Sequence, residues 1–178
     1  MSKAAWTVLI GIALSTSLME RSHAQSPSAG AAVSVPVPAT LNQLMRGTLY
    51  PASNIVFAAQ DLDPATVPHA KDPSMATDLL TSTFGKWEAV ENSALAMAEL
   101  ANLLTLPGRK CSNGLDVPIN NPDWAKFVQE LRDAGMASYA AAKAKSQDKI
   151  IDATEVLANA CMHCHVRYRE KKPANRCK

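Results

Sequence analysis

Cys161-Met162-His163-Cys164-His165-Val166-Arg167-Tyr168-Arg169 is the stretch from which the rest of the chain is read. Two cysteines three residues apart, with a histidine directly after the second, gather both sulfurs and the imidazole around one edge of a helix. That arrangement suits a haem: the thiols can form thioethers to two vinyl groups while His165 reaches the iron as proximal ligand. A thioredoxin-like redox pair also uses C-x-x-C, but there the motif opens a helix after a strand. Here it closes the helical pattern of Ile150, Ile151, Val156, Leu157 and Ala160. A zinc site would need further ligands, and besides His163 and His165 the mature chain offers only His69, Cys111 and Cys177. The motif therefore predicts one haem c per chain, attached covalently through Cys161 and Cys164.

Reading back from the motif, Ser146 can cap the helix that carries it, with Asp148 in the first turn and Pro173 as its stop. Asn121-Pro122 opens the preceding helix, through Trp124, Phe127, Val128, Leu131, Met136 and Tyr139. Residues 105–120, with Pro107-Gly108, Asn113-Gly114 and Pro118, read as a loop. Before it, Trp87, Val90, Ala94, Leu95, Met97, Ala98, Ala101, Leu103 and Leu104 recur at helical spacing. That helix is expected from about residue 74 to 104, with Gly85 as a break within it. A Pro-rich connection with Pro64, Pro68 and Pro73 precedes it. Thr40-Leu41-Asn42-Gln43 fits a capping box for a first helix that runs towards Gln60 and is kinked or divided by Pro51. Four amphipathic helices without a convincing strand predict an all-α fold, an antiparallel up-down-up-down bundle with haem c on the C-terminal helix.

Composition agrees with one globular domain: of 178 residues, 47% are hydrophobic, 19% charged and only 5% aromatic. Lys3, the apolar stretch from Ala4 to Leu18 and the small-x-small site Ser22-His23-Ala24 read as a secretory signal over residues 1–24, cleaved near Ala24. Residues 25–39, rich in Ser, Ala and Pro, read as a flexible leader, and residues 40–178 as the haem-binding bundle. The expected location is periplasmic. Of 18 basic and 16 acidic side chains, the signal removes Lys3, Arg21 and Glu20, leaving 16 against 15 and a formal charge of +1. Nothing in that balance points to nucleic acid.

The last-helix motif continues as C-x-x-C-H-x-x-Tyr-Arg and so resembles the cytochrome c prime and cytochrome c-556 family, whose pattern there is C-x-x-C-H-x-x-Tyr/Phe-Arg/Lys. Small cytochromes c of the common type instead carry the motif near the N-terminus with a methionine ligand downstream; here 13 residues follow His165 and none is Met. The resemblance covers the bundle from about Thr40 to Lys172. It implies that the first helix supplies the residue facing the open side of the haem, a methionine in the six-coordinate branch and a non-ligating side chain in the five-coordinate one. Where the family often has an Arg-Gln pair near the start of that helix, this chain has Asn42-Gln43. Bundles of that family often pair through the first helix, so a homodimer is among the implied assemblies.

Bundle geometry selects a methionine. The start of helix one, the end of helix two, the start of helix three and the end of helix four share one end of such a bundle. At ~1.5 Å rise per residue, Met45 and His165 stand at matching heights there. Met45 is the candidate second iron ligand; the alternative is that it only packs, as most methionines on apolar faces do, with Leu41, Leu44 and Leu49 lining a five-coordinate pocket. Met97 and Met136 are expected in the core, Met75 at the start of helix two and Met162 facing away. Cys111 and Cys177 belong to the same end and can pair in an oxidising compartment, or remain free thiols. Arg109 and Lys110 join Arg167, Arg169, Lys171, Lys172, Arg176 and Lys178 in a basic cluster. Such a run is ordinarily a solvated face, yet around a haem edge it would pair with propionates or steer an acidic redox partner. His163 reads as an exposed spacer, and His69 carries no assigned role.

These features predict an electron carrier with redox proteins as partners. The alternative is a five-coordinate protein that binds nitric oxide or carbon monoxide. A peroxidase-like activity would want a distal acid-base residue such as His near Met45; the first helix has none, so no enzymatic activity is expected.

Overall fold

The computed structural model describes residues 35–170 and Cys177. The expected signal, residues 25–34 of the leader, Pro173 and the basic residues Lys171, Lys172, Arg176 and Lys178 lie outside the described residues.

Thr40 caps the first helix as its sequence predicts: its hydroxyl accepts from the Gln43 amide and the Gln43 side chain returns to the Thr40 amide. One short α-turn, α1 (Leu41–Leu44), passes into a π-turn at Met45–Leu49 and then into α2 (Tyr50–Asp61), so a single rod carries all three. Pro51 sits in the first turn of α2 and marks the predicted division. The structure realises it as a change of winding, the Tyr50 amide donating to the Met45 carbonyl five residues back.

The second helix starts later than expected. Residues 73–75 and 79–81 form two separate 3₁₀ turns, and α3 (Lys86–Leu103) begins only after Gly85. A Cβ at Gly85 would stand 2.3 Å from the Leu80 carbonyl oxygen, so the chain folds back on itself there and the break becomes the helix start. Met75 consequently lies in a 3₁₀ turn and is exposed rather than opening a helix. His69 has a role after all, since its Nδ1 lies 3.0 Å from the Ser82 carbonyl and ties the two sides of this connection.

Helix α4 (Pro122–Lys143) and helix α5 (Gln147–Cys164) follow the sequence reading closely. Pro122 occupies the first turn, and Ser146 accepts from the Lys149 amide as cap. A second π-turn, His165–Arg169, extends α5 and ends it before Pro173. Among the described residues there is one isolated bridge, Lys110 to Asp116, and no strand.

The four rods pack together, compatible with a four-helix bundle: α2 lies against α3 and α5, and α4 against α3 and α5. The ends alternate. Gln147, at the start of α5, donates to the Ala59 and Gln60 carbonyls at the end of α2, while Arg167, beyond the end of α5, meets Asp123 at the start of α4. Val56, Val90, Ala94, Met97, Trp124, Ile150 and Leu157 fill the core. Small residues set the closest approach: a Cβ on Gly135 of α4 would lie 2.9 Å from the Ala98 amide nitrogen of α3. Met136, expected in the core, is exposed on α4 because its neighbour Gly135 takes the buried position.

Candidate functional site

At the end of the bundle where α1 and α4 begin and α3 and α5 finish, the helices leave a cavity of about 330 Å³. Cys161, Cys164 and His165 enter it from the last helix, Met45 from the first rod, and Met97, Leu104 and Trp124 from between. The residues singled out from sequence are thus brought to one place. The wall is predominantly apolar, with Asn42, Arg46, Ser53 and Arg169 at its edges. Met97, expected only in the core, is both core and cavity wall. Leu41 and Leu49 line the cavity as expected, but Leu44 turns into the core instead.

Cys161 and Cys164 are free thiols, each partly buried. Burial pushes the Cys161 thiol up. Cys164 is pushed up to about 12, first by burial and then by Cys161, Asp123 and Glu130. Both sulfurs therefore stay protonated near neutral pH. A catalytic dithiol needs the opposite, a thiolate stabilised by positive surroundings. Zinc fares no better, because among the described residues no three of His, Cys, Asp or Glu gather closely enough to hold a metal ion. Neutral thiols in an apolar cleft beside a histidine fit thioether formation, which adds an S–H across a vinyl group.

His165 is also partly desolvated. Its pKa is lowered first by burial and second by Arg169, with Glu170 opposing. The imidazole is thereby kept neutral, the form that has a nitrogen lone pair to offer an iron. Neither His163 nor Met162 lines the cavity. Met162 is exposed, and His163 points to α4, its Nδ1 lying 2.8 Å from a Glu130 carboxylate oxygen.

The floor of the site is held by a set of contacts that helical periodicity does not reveal. Tyr168 donates to Asp123, accepts from the Asn121 amide at 3.3 Å and stacks edge-on against Trp124 with ring centroids 5.0 Å apart. Arg167 completes the cluster through an ion pair with Asp123 at 2.5 Å. The Trp124 indole donates to the Leu104 carbonyl at 3.0 Å. Asn121-Pro122-Asp123 signalled a helix start from sequence, but its link to Tyr168 spans 45 residues and has no local signature.

Cys111 and Cys177 are disulfide-bonded with Cα atoms 5.1 Å apart, and Cys177 forms part of the cavity wall. Among the described residues the expected basic rim is reduced. Arg109 is 5% exposed, and its guanidinium donates to the Ala39 carbonyl at 2.6 Å and the Leu103 carbonyl at 3.2 Å. It is a buried tie between the pre-helix segment and the end of α3, not a surface charge. Lys110 pairs with Asp116, Arg167 with Asp123 and Arg169 with Glu170. Arg46, for which the sequence carries no local signal, adds a cation at the cavity edge. No protein-family model, no curated protein and no solved structure matches this chain.

Proposed function

We propose that this chain is an exported, periplasmic c-type cytochrome of the cytochrome c prime and c-556 type, an electron carrier rather than an enzyme. One observation carries the reading: two free thiols, an imidazole and a thioether, from Cys161, Cys164, His165 and Met45, border a single apolar cavity at one end of four packed helices. When bound, haem c supplies an iron that accepts and releases one electron. Cys161 and Cys164 hold it covalently to the last helix. His165 offers its ring nitrogen from the same helix, and Met45 offers sulfur from the first rod. Leu41, Leu49 and Met97 keep water from the site, which favours the less charged, reduced form. Arg46 and Arg169 stand at the edge, where they would meet propionates or an acidic face of a redox partner. Two copies pairing through the first rod is the assembly that the family resemblance suggests.

The five-coordinate reading is favoured by one feature, the apolar lining around Met45, which would suit a neutral diatomic gas. The two readings part on one measurement. Protein produced with a haem-attachment system should hold haem through acid-acetone extraction, and its reduced spectrum should be low-spin and unchanged by carbon monoxide. Haem that extracts freely overturns the cytochrome reading; a high-spin spectrum that shifts with carbon monoxide replaces the electron carrier by the gas-binding protein. Met45→Ala should convert the first spectrum into the second.

A further inference from the structure

The burial pattern of the first rod contains an anomaly. Val56 is fully buried, and Ala52 and Leu49 follow it on the same face, four and three residues earlier. In an uninterrupted α-helix the next residue on that face would be Met45, and Leu44 would lie ~100° away towards solvent. The structure has the reverse: Leu44 is 6% exposed in the core, whereas Met45 is only partly buried and borders the cavity. Leu44 and Leu49 share a face although five residues separate them. That spacing is one turn of a π-helix, and Met45–Leu49 is such a turn.

The cause lies immediately downstream. Pro51 has no amide hydrogen to give to the carbonyl of Gly47, and its ring would clash with that carbonyl in an α-helix. The winding loosens instead: the Tyr50 amide bonds to Met45, and the Thr48 hydroxyl takes the Leu44 carbonyl at 2.5 Å. Gly47 adds no obstacle, having open space where a Cβ would stand.

We propose that Pro51 is a positioning residue: the π-turn it forces at Met45–Leu49 rotates Met45 out of the core face and onto the wall of the cavity that holds Cys161, Cys164 and His165. A thioether that would otherwise be core filler becomes a soft donor at the cavity edge, and Leu44 fills the vacated core position. Only the spectroscopic half of this proposal rests on the haem reading above.

The test uses haem-loaded protein in three forms: wild type, Pro51→Ala, and Pro51→Ala combined with deletion of Gly47. Alanine restores an amide donor and lets the rod wind as α-helix, turning Met45 by ~100° away from the cavity edge. Deleting one residue from the loosened turn removes that rotation and returns Met45 to the cavity. The expected result is a low-spin spectrum in wild type, a carbon-monoxide-sensitive high-spin spectrum in Pro51→Ala, and recovery in the deletion form. Methyl-labelled methionine nuclear magnetic resonance on the same three forms without haem supplies a readout independent of the iron. Met45 methyl contacts across the cavity with the last helix should be lost in Pro51→Ala and return on deletion. Persistence of the π-turn and of those contacts in Pro51→Ala overturns the proposal, as does failure of the deletion to restore them. Should wild type take up no haem, the functional reading falls while the methyl contacts still decide the positioning claim.

Discussion

Tyr168, three residues past the last residue of the C-x-x-C-H motif, donates its hydroxyl hydrogen to Asp123 in the first turn of α4, so the motif-bearing helix is clamped to its neighbour by a charge-assisted hydrogen bond. Asp123 is thereby held below the usual carboxylate range, by Tyr168 first and Arg167 second. A carboxyl depressed in the folded state contributes stability that is present above its unfolded pKa of ~3.9 and disappears as pH falls through the folded value. Acid denaturation followed by circular dichroism should therefore show wild type losing stability below about pH 4 more steeply than Asp123→Asn. Parallel curves for the two proteins would remove the clamp from the account.

Tyr168 itself is displaced upward, by burial first and the Asp123 hydrogen bond second. The folded state thus favours the neutral phenol, a contribution present below the unfolded tyrosine pKa of ~10 and lost as pH rises through the higher folded one. Tyr168→Phe should unfold at lower denaturant at neutral pH, by ~1–3 kcal/mol, because Asp123 and Asn121 lose a partner. Its stability should then be flat where wild type declines above pH 10.

The Cys111–Cys177 bond closes a loop of sequence separation 66, which in the chain-entropy model is worth ~4 kcal/mol. Reduction with a dithiol, or Cys111→Ser with Cys177→Ser, should lower the urea midpoint accordingly. Thioethers at Cys161 and Cys164, as the proposed haem attachment would make them, would survive that reductant, so mass spectrometry of reduced, alkylated haem-loaded protein should find two alkylated cysteines rather than four.

Gly135→Ala should cost ~1–3 kcal/mol, because the added methyl meets the Ala98 backbone nitrogen at 2.9 Å and the Ala94 carbonyl oxygen at 3.0 Å, atoms that shift only with their helix. Gly47→Ala, with nothing near its Cβ, should be neutral or stabilising by up to ~1 kcal/mol. Thermal melts of the pair separate tight packing from helix propensity.

Arg109→Met should destabilise by ~2–3 kcal/mol, since the Ala39 and Leu103 carbonyls lose a charged donor in a buried place. Arg109→Lys should recover only part of this, as one ammonium lacks the planar fork that serves two separated acceptors. Equal stability of the lysine form would show that charge alone matters.

Local signals in the sequence were the reliable ones. The Thr40 capping box, Pro122 at the start of α4 and the Ser146 cap each involve residues within a few positions of one another, and each element stands where those residues put it. α3 starts at Lys86 rather than near residue 74 because the chain before it folds back, with the Ala70 amide bonded to the Thr81 carbonyl at 2.9 Å, a pairing that apolar spacing does not encode. At the cavity, the approach of Met45, Cys161, Cys164 and His165 follows from helix order and length. The burial of Arg109 does not, because a guanidinium beside Gly108 in a turn-rich loop reads as solvated until its two carbonyl partners, supplied by other segments, are seen.

Trp124 has so far figured as packing, 2% exposed with its indole nitrogen on Leu104. Because the same ring forms part of the cavity wall, it is also a lamp set into that cavity. A porphyrin seated there would drain its excitation by energy transfer, so the ultraviolet emission of the protein would dim as the cavity filled. Occupancy can then be followed in real time, without a label, from a side chain that the fold placed there for other reasons.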